Sequence, residues 1–149
     1  RKDKTWSAGW PEQYCKDHKL DNILFKQKRV SFNQVPDIIS HSNVNIMNYQ
    51  GYFGLYGVSS GKMFLYFAAG KPICCNAKLN YCEITKNNIG IAEDLNTPEK
   101  YADAILKLAS LSQDELNLMQ FRFKQVAERF DYKRLSQNLL DIIRSYRIS

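Results

Sequence analysis

The stretch Asn48-Tyr49-Gln50-Gly51-Tyr52-Phe53-Gly54-Leu55-Tyr56-Gly57-Val58-Ser59-Ser60-Gly61-Lys62 gathers the residue types that suit an anionic ligand. Its four glycines let the backbone come close to a ligand. Ser59 and Ser60 bring hydroxyl donors. Lys62 brings a positive charge to the first turn of a following helix, whose free N–H groups and dipole suit a phosphate. The same composition also fits a surface loop with ordinary capping residues, and on the residues alone both readings stay open.

The elements that must hold this segment alternate along the chain. Lys4–Gly9 and Ile23–Lys26 read as strands on either side of a short helix from Pro11 to His18. Asn33 offers a cap for a helix with Pro36 in its first turn, ending near His41. Val44–Met47 reads as the third strand, and the glycine-rich segment leaves from its carboxyl end, where open parallel sheets bind ligands. The pattern predicts a helix over Lys62–Ala69 stopped by Gly70, with Pro72 opening the strand Ile73–Cys75. A short helix over Tyr81–Lys86 leads to the strand Ile89–Ala92. The alternation implies an α/β fold, a Rossmann-like parallel sheet with helices on both faces.

The last third reads as helical. Thr97-Pro98 is a cap with proline at the first helical position, before a face of Tyr101, Ile105 and Leu108. Ser112-Gln113-Asp114-Glu115 is a capping box opening a helix striped by Leu116, Met119, Phe123, Val126 and Phe130. Asp131 can cap a final helix striped by Leu135, Leu139, Ile142 and Tyr146. Both stripes read as core.

The 149 residues suit one domain, and the composition is that of an ordinary globular protein. No stretch has the roughly 20 apolar residues of a membrane span, and no signal-peptide pattern opens the chain. A net charge of +6 permits phosphate-rich ligands or an anionic membrane surface. The basic residues lack the aromatic interleaving of an RNA binder, so no nucleic-acid partner is expected. The basic C-terminal helices allow a peripheral contact with anionic lipid, although a solvated face is the plainer reading. Cys15, Cys74, Cys75 and Cys82 form no C-x-x-C pair, and Cys74-Cys75 lie in an apolar run, as buried thiols do in a reducing cytoplasm. His18 and His41 have no partner at metal-ligand spacing, so no metal is expected.

One block is more specific. Gly51-Tyr52-Phe53-Gly54, followed by Ser59-Ser60-Gly61-Lys62-Met63-Phe64-Leu65-Tyr66-Phe67-Ala68-Ala69-Gly70-Lys71-Pro72-Ile73, resembles the C-terminal, donor-binding domain of GT-B fold glycosyltransferases of the group-1 family. The likeness is to a phrase of the form S-P-x-K-L-x-E-Y-x-A-A-G-K-P-V. Asn22-Ile23-Leu24-Phe25 with Val35-Pro36-Asp37-Ile38-Ile39, Glu83-Ile84 before Asn88-Ile89-Gly90-Ile91, and Phe130-Asp131-Tyr132 resemble further family segments in the same order. A receiver domain would want an aspartate where the third strand runs into Asn48, and Ser7-Ala8-Gly9-Trp10 is a poor flavodoxin phosphate loop.

The resemblance implies transfer of a sugar from a UDP- or GDP-sugar donor to a hydroxyl of a glycan or lipid-linked acceptor, as in polysaccharide biosynthesis. It implies a cytoplasmic protein, with peripheral contact at the inner face of the membrane. No cofactor beyond the nucleotide sugar is implied. Gly51, Tyr52, Phe53, Gly54 and Leu55 would face the donor sugar and diphosphate, and Val58, Ser59, Ser60 and Lys62 would hold the phosphates. Leu65 would lie near the ribose, with Arg29 and Val30 bordering the base. Many relatives carry glutamates at the positions of Gly57 and Leu65, and leucine cannot accept hydrogen bonds from ribose hydroxyls. A non-catalytic nucleotide-sugar-binding or scaffold module is therefore the alternative. On this reading residues 1–149 are the donor domain without its first strand and helix. The acceptor domain, with any catalytic base, lies upstream, and the isolated chain does not turn over.

Overall fold

The computed structural model describes residues 10–25, 30–49, 60–78 and 82–146, and the chain divides into two units, Arg1–Ser31 and Phe32–Ser149. In the first unit, α1 (Trp10–Asp17) ends where Lys19 takes a left-handed φ of 54°. That turn lets the Leu20 amide donate back to the Cys15 carbonyl at 2.9 Å, closing the helix as a glycine cap would. Residues 21–25 are irregular rather than the expected strand. Leu24 is 77% exposed, so the apolar run there lacks the two-sided cover a parallel strand needs. Lys26 and Lys4–Gly9 lie outside the described residues.

The second unit opens with a 3-10 turn (Phe32–Gln34) running into α2 (Val35–Ser40). The cap falls at Gln34 rather than Asn33, because the 3-10 turn carries Asn33 inside the helical path; Pro36 still sits in the first turn. Three short strands follow, β1 (Asn45–Met47), β2 (Ile73–Cys75) and β3 (Gly90–Ala92), paired in parallel in the order β1-β2-β3. Two crossovers join them, α3 (Gly61–Ala69) and α4 (Glu83–Lys86). The helix that ends each crossover must stop sharply. Gly70 does so for α3 at φ 66°, and Asn88 at φ 50° lets the Ile89 amide reach the Ile84 carbonyl beyond α4. Tyr81, expected at the start of α4, lies outside the described residues.

Alternation along β2 decides the two layers. Ile73 and Cys75 face a core shared with Met63 and Phe67 of α3 and with Met119, Phe123 and Val126 of α6 (Gln113–Arg129). Cys74 faces the other way, onto Ala104 and Leu108 of α5 (Pro98–Ala109). All three β2 residues are buried, as the central strand of a sheet covered on both faces requires. Phe67 and Phe123 retain 1% exposure each, and each contributes about 1.5–3 kcal/mol by burial. This is an α/β arrangement compatible with a Rossmann-like fold.

The C-terminal helices start where their caps dictate. The Thr97 hydroxyl accepts from the Lys100 amide, with Pro98 opening α5. The Ser112 and Glu115 side chains complete the reciprocal box at the start of α6. Those bonds to Ser112 hold the Glu115 carboxyl below the usual range. Asp131 Oδ1 accepts from the Lys133 and Arg134 amides to start α7 (Tyr132–Tyr146). Arg129 ties α6 to α4 through Glu83, at 2.6 Å, and Asn87. The stripe of α6 is core, but that of α7 is not: Leu135, Leu139, Ile142 and Tyr146 are all exposed. Amphipathic spacing fixes which face of a helix is apolar, and leaves open whether anything covers it.

Candidate site at the start of α3

Parallel strands deliver their loops to one end of the sheet, and β1 delivers its chain there at Asn48 and Tyr49. Asn76, at the same end of β2, fixes that exit. Its side-chain oxygen accepts from the Tyr49 amide at 2.7 Å and its NH2 donates to the Tyr49 carbonyl at 3.0 Å. Its own amide donates to the Met47 carbonyl at 3.3 Å. A side-chain amide can give and accept in one plane, so a single asparagine extends the β1–β2 ladder by a further rung. Sequence reasoning passed over Asn76. The signal available was a polar amide placed directly after a fully buried strand.

The chain returns to this end of the unit at Ser60, the N-cap of α3. The Ser60 hydroxyl oxygen accepts from the Lys62 amide at 3.3 Å and keeps its own O–H to donate. Lys62 is exposed in the first turn, as its sequence position suggests, and Leu65 is half-buried further along. The Met63 amide donates to the Ser60 carbonyl at 2.9 Å, so it is the helix dipole and the Lys62 ammonium that make this helix start electropositive.

The Tyr49 hydroxyl is buried and has no hydrogen-bond partner among the described residues. Burial raises its pKa first, with the Cys75 thiol adding to the rise. Ser60 is close enough to pull it partly back, although the geometry falls short of a hydrogen bond. Tyr49 thus bridges the β1 exit to the α3 start. The Cys75 thiol itself is raised by burial, so at neutral pH it is a packed thiol rather than a nucleophile.

Of the residues read as donor-binding, the structure brings Ser60 and Lys62 together at this helix start, with Leu65 one turn on. Val30 belongs to the first unit and is exposed. Gly51, Tyr52, Phe53, Gly54, Leu55, Val58, Ser59 and Arg29 lie outside the described residues, as does Gly57. No His/Cys/Asp/Glu group that could hold a metal occurs among the described residues.

Neither a protein-family model, nor a curated protein, nor a solved structure matches this chain.

Proposed function

We propose that the chain is the donor-binding half of a GT-B glycosyltransferase, taking a UDP- or GDP-sugar for transfer to an acceptor hydroxyl. One observation carries the reading. The Ser60-capped start of α3 lies after the carboxyl end of a parallel strand, and the Ala68-Ala69-Gly70-Lys71-Pro72 turn leads that helix into β2. The resemblance to the group-1 family rests on this same block.

The chemistry asked of such a site is charge neutralisation. As the glycosidic bond breaks through an oxocarbenium-like state, negative charge grows on the leaving diphosphate. Amides at the start of α3, the Ser60 hydroxyl and the Lys62 ammonium would stabilise it. The acceptor and any base come from outside this chain.

Leu65 favours a second reading, a nucleotide-sugar-binding module without transferase activity, since a half-buried leucine gives the ribose nothing to bond. Titration with UDP, GDP and their sugars, followed by NMR, tests the shared core of both readings. Signals of Gly54, Ser59, Ser60 and Lys62 should move. If saturating nucleotide moves only residues elsewhere, the site is wrong. Sugar transfer by the protein joined to its acceptor-binding part separates enzyme from binding module.

A further inference from the structure

Two alanines leave room where α3 meets the corner between α6 and α7. Ala68 of α3 and Ala127 of α6 offer only a methyl group each, and a cavity of about 640 Å³ opens beside them. Its bottom is Phe67, 1% exposed, whose ring centre lies 6.1 Å from that of Phe64 and 5.9 Å from that of Phe130. Phe64 and Phe130, themselves 5.1 Å apart, are half-buried and keep ring surface to offer the cavity. A hollow of this size with an aromatic floor and few polar groups suits a small molecule.

The rim carries Glu128 and Asp131 against Arg134. Asp131 is engaged, its Oδ1 accepting from the Lys133 and Arg134 amides. The side chains of Glu128 and Arg134 have neither an ion pair nor a hydrogen bond among the described residues. Arg129 does not answer Glu128: its guanidinium, 5.9 Å from the Phe130 ring centre, is held by Glu83 at 2.6 Å. One free carboxylate and one free guanidinium thus border the same apolar hollow.

We propose that this cavity binds a small zwitterion with an aromatic side chain, of the class of the aromatic α-amino acids. The ring lies against Phe64 and Phe130 beside the two alanines, the ammonium pairs with Glu128 and the carboxylate with Arg134. The two unpaired charges select this class. A nucleotide or another anion meets Glu128 and Asp131, and an amine without a carboxylate leaves Arg134 unanswered. The cavity shares no residue with the site at the start of α3, so the inference stands whether or not that site takes a nucleotide.

Titration of the whole chain with L-phenylalanine, followed by NMR, tests it. Signals of Ala68, Ala127 and Phe130 should shift together and saturate in the millimolar range expected of so small a ligand. Ala68→Leu, at an exposed position, fills the hollow and should reduce the affinity more than tenfold. Arg134→Gln should weaken L-phenylalanine and phenylpropionate about tenfold and leave phenethylamine unchanged. Glu128→Gln should weaken L-phenylalanine and phenethylamine about tenfold without weakening phenylpropionate. Glu128 and Arg134 are exposed as well, so the thermal melt of each variant checks that the fold is intact. No shift at these residues would overturn the proposal, as would shifts that Ala68→Leu leaves in place. Equal affinity of the parent chain and both charge variants for L-phenylalanine would overturn it too. If the same signals move with protein concentration in the absence of ligand, and Ala68→Leu stops them, the hollow belongs to a second copy and the proposal falls.

Discussion

Replacing Asn76 by alanine tests whether one side chain fixes the exit of β1. The substitution removes the 2.7 Å bond from the Tyr49 amide and the 3.0 Å bond to the Tyr49 carbonyl. Each is worth about 0.5–1.5 kcal/mol net, and the two backbone groups left behind cost more wherever water cannot reach them. Asn76 is half-buried, so water restores part of the loss, and the expected destabilisation is about 1.5–3 kcal/mol. Urea unfolding should show a lower midpoint with the slope unchanged. Asn76→Asp should fall between, because it keeps the acceptor for the Tyr49 amide and turns the donor facing the Tyr49 carbonyl into a second acceptor. UDP affinity should drop in step with stability if the exit of β1 positions the ligand-binding segment. A loss under about 0.5 kcal/mol in the alanine variant would refute the idea that this amide pair organises the site.

Lys62→Ala should weaken UDP binding by about 1–2 kcal/mol without lowering the melting temperature, since its ammonium is exposed; calorimetric titration measures the difference. Gly90→Ala should abolish folding, read as loss of the cooperative melt, because a Cβ there would stand 2.0 Å from the Ile73 carbonyl oxygen. Burial pushes the Cys74 thiol up to about 11 from 9.0, so the folded state holds that proton more tightly than the unfolded chain. The stability this contributes is complete below pH 9.0 and is lost as pH rises toward about 11. In Cys74→Ala the decline across that window should be shallower; an identical slope would assign it to other groups, Tyr101 among them, whose hydroxyl burial raises to about 12.

What the sequence made legible was local chemistry. Ser112 with Glu115, Thr97 with Pro98, Asp131 and Gly70 each announce a helix boundary through bonds that span a few residues, and each boundary stands where the residues put it. Ile73–Cys75 was equally plain, because proline before and a continuous apolar run within leave few alternatives to a buried strand. Failures came where the deciding partner is distant. Ile23, Leu24 and Phe25 have strand-like residue types, yet among the described residues of their unit no strand engages them. The stripe of α7 has core periodicity without cover. At the site, Ser60 and Lys62 could be read from their place before a helix, but Asn76 could not. Its importance depends on Tyr49, 27 residues away, and its place directly after a buried strand marks the position without naming that partner.

The hydrogen bonds of Asn45 and Met47 turn toward β2, so the Ile46 carbonyl points to the other side of β1, where no strand pairs with it among the described residues. The Tyr66 hydroxyl donates to that carbonyl at 3.1 Å. Burial raises the Tyr66 pKa, so the phenol keeps its proton at any ordinary pH. An incoming extended peptide would need this carbonyl as an acceptor and would first have to evict the phenol. At only three residues, β1 is also too short to template much pairing. The flank of the sheet is thereby guarded against strand addition and the aggregation that follows from it.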